Sequence, residues 1–155
     1  MNITSIAIAL FLFLAPVART TAASQQAVTL KFQTVIAADD AIIRTNTPLP
    51  SETQITAFKY DNIRHTFDSY ENIFIITTTN KVTAKLQKNA ELINNQNKKI
   101  NIDVTLADKL LSTTPVLIHS GTPHEASYQF KVHPKDGIHG DGSYTGDVIL
   151  IFDVS

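Results

Sequence analysis

The sequence predicts an all-β domain, an antiparallel sandwich or barrel, on three observations. Short runs rich in Thr, Ile, Val and Phe are broken by Asn, Asp, Pro and Gly, the residues that form strands and the residues that turn them. The runs recur at near-regular spacing, as they do where one sheet packs on another. No segment carries a convincing amphipathic helical period.

The first element is not a strand. Ile6 to Val17 is an apolar run of twelve residues, followed by Arg19 and the small residues Thr20-Thr21-Ala22-Ala23. A bilayer span needs roughly 20 residues, so this reads as a secretory leader, 1–23, cleaved after Ala23 with Ala22 as the fallback. Met1–Ser5 lacks the Lys or Arg that such leaders usually carry.

Val28–Ile36 follows as a strand with clean alternation. Val28, Leu30 and Phe32 point one way, Thr29, Lys31 and Gln33 the other. After processing it is the first strand of the chain, and a terminal strand with one apolar face can complete its own sheet or another's. Ala37–Leu49 is expected to be an irregular connection closed by Pro48-Leu49-Pro50, where prolines forbid regular pairing. Glu52–Tyr60 alternates up to an Asp61-Asn62 turn, and His65–Phe67 is a candidate short strand. Asn72–Thr79 and Val82–Gln87, separated by Asn80-Lys81, read as a hairpin. Asn89–Lys99 is polar and Asn-rich, hence a connection. Ile100–Leu106 alternates strictly, Lys109–Leu111 is ambiguous, and Pro115–His119 is a short apolar piece. Tyr128–His133 is a strand with Tyr128, Phe130 and Val132 inward. Pro134–Ser143, with three glycines and two aspartates, is a long loop. Tyr144–Val154 ends the chain as a strand apolar on both faces, expected to be central and buried between two layers.

Composition excludes several functions. Without the leader, 12 Lys and Arg face 14 Asp and Glu, a balance that argues against nucleic acid or a strongly anionic surface as partner. There is no cysteine, so neither disulfides nor thiol chemistry is available and packing alone must hold the fold. His133, Asp136, His139 and Asp141 lie within nine residues, but in a Gly-rich loop and at no recognised ligand spacing, so neither metal nor cofactor is expected. Ser69 and Ser143 lack a nucleophile-elbow context and no Gly-rich phosphate loop is present, so the chain does not read as an enzyme. A secreted monomeric sandwich that binds carbohydrate or another ligand is the alternative these residues allow.

Four motifs in order narrow the reading: Leu49-Pro50-Ser51, Phe67-Asp68-Ser69-Tyr70, Lys81-Val82-Thr83-Ala84-Lys85-Leu86 and Tyr144-Thr145-Gly146-Asp147-Val148-Ile149-Leu150. On these the chain resembles the alternate (alpha-type) chaperone–usher pilins of Gram-negative bacteria, the colonization-factor-antigen-like major subunits. Gln87–Ser143 contributes little to the likeness. The resemblance implies an incomplete immunoglobulin-like antiparallel sandwich, 37–155, completed by a donor strand from a neighbouring subunit. The donor segment would be 24–36, with Val28, Leu30, Phe32 and Thr34 as the inserted side chains. Burying the three large ones contributes roughly 5–9 kcal/mol gross. The implied partners are identical or related pilin subunits in a head-to-tail polymer, a periplasmic chaperone, an outer-membrane usher, a tip adhesin and a host-cell receptor. The implied location is the extracellular fimbria, reached through the periplasm, and the implied role is cell adhesion.

Overall fold

The computed structural model describes residues 28–36, 41–49, 56–140 and 142–155, with the backbone path alone for 28–36 and 56–57. The leader and Ser51–Ile55 lie outside the described residues. Within them thirteen strands and no helix form.

Two sheets face each other. The first runs in the order β3 (Thr56–Phe58), β1 (Val28–Ile36), β13 (Tyr144–Val154), β7 (Val82–Leu86), β11 (Val116–His119). The second runs β2 (Ile42–Thr45), β6 (Tyr70–Thr77), β12 (Glu125–Pro134), β9 (Lys99–Leu106), β10 (Lys109–Leu110). β8 (Glu91–Asn94) joins them, pairing with the start of β13 and the start of β9. β4 (Tyr60–Asp61) and β5 (Thr66–Phe67) form a small separate ladder.

Alternation places the core. β7 buries Val82, Ala84 and Leu86; β9 buries Ile100, Ile102, Val104 and Leu106. Between the layers the Phe74 ring meets Phe152 at 5.4 Å and Phe130 at 5.2 Å, the latter edge-on. Such tilted and edge-to-face pairs are the geometry aromatic rings prefer. His119 is fully buried in this core, with one ring nitrogen against the Tyr128 hydroxyl (2.8 Å) and the other against the Thr78 carbonyl (3.2 Å).

Strands Val28–Ile36 and Tyr144–Val154 form over the residues expected. The expected hairpin between Asn72–Thr79 and Val82–Gln87 does not form. β6 pairs with β2 and β12, β7 with β11 and β13, so the turn between them crosses from one layer to the other. Both strands bury one face, and a tight turn can fold two such faces toward each other as well as side by side. Hairpins form elsewhere. β8 and β9 are joined through Asn97, which holds a left-handed φ of 60°, a conformation Asn tolerates. β9 and β10 turn at Ala107 and Asp108, both at positive φ, as a two-residue type I′ connection requires. Two segments expected to be irregular, Ala37–Leu49 and Asn89–Lys99, contain β2 and β8; β2 finds its partner far along the chain, and β8 pairs with both the adjacent β9 and the distant β13.

The last strand is central, as expected, but it is not buried on both faces. Tyr144, Val148, Leu150 and Phe152 are buried, whereas Ile149 and Ile151 on the outer face are only half-buried.

Candidate functional site

β13 has neighbours on both sides. On one flank its end, Leu150–Val154, pairs antiparallel with β7, and its start, Tyr144–Gly146, pairs antiparallel with β8. On the other flank β1 runs beside it for nine residues, from Val28 opposite Tyr144 to Ile36 opposite Phe152. This ladder is parallel, unlike every other pairing among the described strands.

The register locates the four residues singled out in the sequence. Val28 lies opposite Tyr144, Leu30 opposite Gly146, Phe32 opposite Val148 and Thr34 opposite Leu150. Three of these partners are buried core residues of β13. Because paired residues share a face of the sheet, the apolar set of β1 holds the core-side register positions. Val28 and Leu30 are also flanked by Phe58 and Thr56 of β3, and Phe58 is buried. Sequence reasoning did not include Ile36, which extends the same alternation to Phe152, nor Phe58 as a wall of the slot. The period-2 pattern through Ile36 was the available signal for the first. Phe58 carried none, since its pairing spans distant parts of the chain.

Gly146 is held to its type by close approach. A Cβ there would sit 2.3 Å from the Glu91 carbonyl oxygen, so β8 can lie against the start of β13 only because the side chain is missing. Tyr144, two residues earlier, donates its hydroxyl to the Gly140 carbonyl at 2.9 Å and so ties the start of β13 to the loop before it.

That loop is bound to the β4–β5 turn. The Phe67 amide donates to the Asp136 carboxylate at 2.9 Å, and this bond, reinforced by His133, holds the Asp136 carboxyl below its ordinary pKa. His133 faces Asp136 through one nitrogen (3.3 Å) and the Ser69 hydroxyl through the other (3.0 Å). His139 packs against Tyr60 and Phe67. Among the described residues no three His, Cys, Asp or Glu side chains gather as a metal site; Asp141 is not among them. These loop groups serve the contact between two turns.

Residues 24–153 match the family of CS1 type fimbrial major subunits. The chain belongs to that family. Among solved structures it is similar to the CooA pilin subunit from enterotoxigenic Escherichia coli, at 17% identity and a TM-score of 0.45, over 63% of this chain and 86% of that one. No curated protein matches it. The chain is thus a structural subunit of a cell-surface fimbria that polymerises with other pilin subunits. A monomeric ligand-binding sandwich is not favoured.

Proposed function

We propose that the subunits polymerise by donor-strand exchange, β1 of one copy lying beside β13 of the next. The β1–β13 ladder carries this reading: it joins the first strand to the last through a single nine-residue register, with no hairpin holding the two together. The inserted residues are Val28, Leu30, Phe32 and Thr34. The family match beginning at residue 24 supports a leader of 1–23, a donor segment of 24–36 and a body of 37–155. Export through the periplasm, capture by a chaperone, handover at an outer-membrane usher, a tip adhesin and a host receptor complete the pathway. The mechanism is non-covalent and asks for no cofactor or catalytic residue.

The direction of insertion follows from the tether. Ile36 and Ile42 both lie at the base of the body, the end marked by Phe152 and Thr77. The six residue steps between them reach about 20 Å at most. A parallel insertion would bring the donor's base against the acceptor's base, a reciprocal swap that closes as a dimer. An antiparallel insertion brings the donor's base against the acceptor's head, the end of Val28 and Tyr144, and that contact repeats without closing. A fibre therefore takes β1 reversed relative to its seat in the single chain. The apolar set tolerates reversal, because alternate residues keep one face whichever way the strand runs.

A chain lacking residues 24–34 is expected to form no polymer by electron microscopy or sedimentation. Polymers from that chain would sink the proposal.

A further inference from the structure

We propose that the head of the body is a docking surface for the base of a second copy of this chain, with Ile63 and Ile138 as its contact side chains. The inference rests on the exchange proposed above. Ile63 is 91% exposed and Ile138 83% exposed; singly such side chains are ordinary, but here two bound turns bring both to the head, the end at which the proposed exchange places a second copy.

The two stand on separate turns that are bound to each other. The Gly137 amide donates to the His65 carbonyl at 2.8 Å, and the Tyr60 hydroxyl donates to the Gly137 carbonyl at 2.6 Å. Asp136 accepts from the Phe67 amide, and the Asp61 carboxylate accepts from the amides of Ile63 and Arg64 (2.8 and 3.0 Å). The Tyr60 ring lies 4.7 Å from Phe67 and 6.0 Å from His139. Both isoleucines therefore sit on a preorganised platform, which loses little conformational freedom when it is covered.

The occupant is identified by chain length and direction. In a head-to-tail fibre the donor's Ile36 lies at the acceptor's head, and six residue steps bring the donor's own β2 within about 20 Å of it. The donor's base is then held beside the acceptor's head, close enough to rest on it. That base presents Ile42, 64% exposed at the start of β2. Head and base are different surfaces of one chain, so their contact is heterologous and propagates.

The absence of cysteine gives a clean test. Fibres of an Ile42→Cys/Ile138→Cys chain, treated with a short bis-maleimide, are expected to give a ladder of cross-linked multimers on denaturing gels. An Ile42→Cys/Leu110→Cys chain, its second site 61% exposed on the flank strand β10, is expected to stay monomeric. In parallel, Ile63→Ser/Ile138→Ser is expected to keep the monomer's melting temperature and yield shorter fibres. Fibres that give no ladder from the first pair, or that keep full length in the double serine variant, overturn the docking surface and leave strand exchange standing. Fibres that persist without residues 24–34 overturn both.

Discussion

The two flanks of β13 use the same backbone chemistry on different terms. On the flank of β7 and β8 the ladders are antiparallel, and Val82, Ala84, Leu86 and Leu92 lie buried beside it. On the flank of β1 the ladder is parallel and joins residues from opposite ends of the chain. Parallel pairing is slightly weaker per residue, and the β1 ladder closes a longer stretch of chain than either ladder on the other flank, at a slightly higher loop-closure cost. On the proposed exchange the first flank belongs to the body and the second is the edge that changes partner.

Four substitutions probe that division, from the largest effect down. Phe152→Ala removes a ring that touches Phe74 across the layers and lies opposite Ile36. It should cost about 3–5 kcal/mol in denaturant melts, and body and fibre should fail together. Leu30→Asp places a charge at a core-side register position of β1 and should cost several kcal/mol at that edge alone. Fibres should vanish while far-UV circular dichroism keeps its β signal; loss of that signal would show that the flanks are one unit. Gly146→Val drives a side chain into the Glu91 carbonyl and should cost about 1–3 kcal/mol, felt first as lost hydrogen-exchange protection in β8.

The smallest effect concerns acid. Asp136 has its pKa lowered in the folded chain, chiefly by the Phe67 amide. Its contribution is therefore present above the ordinary carboxylate pKa and is lost as pH falls through the lowered value. Asp136→Asn should flatten the drop in melting temperature between neutral and acidic solution, leaving the β1 edge untouched. An unchanged acid limb would remove Asp136 from the account.

The β class, the first and last strands and the core-side set of β1 were legible because alternation is a local signal that survives without partners. Val28, Leu30 and Phe32 could be picked out from spacing, Thr34 was added by the resemblance, and the register of all four against β13 follows one parity. Partner choice was not legible. The Asn80-Lys81 turn looks like a hairpin turn, and only the rest of the fold sends β6 and β7 into different layers. β2 and β8 stayed hidden because four residues carry too short a pattern; the partner of β2 lies far along the chain, and β8 sits in an Asn-rich stretch that reads as a connection. The platform under Ile63 and Ile138 was equally silent, since it is assembled by a loop docking on a turn some seventy positions away.

The nine-residue length of the β1–β13 ladder has a mechanical consequence. Hydrogen bonds in an antiparallel ladder lie across the strands, whereas tension along a fibre of exchanged subunits acts along them. Pulling then loads the whole row in shear at once, instead of peeling one bond after another from an end. In the proposed fibre the same strand becomes a joint whose rupture force grows with the length of its ladder.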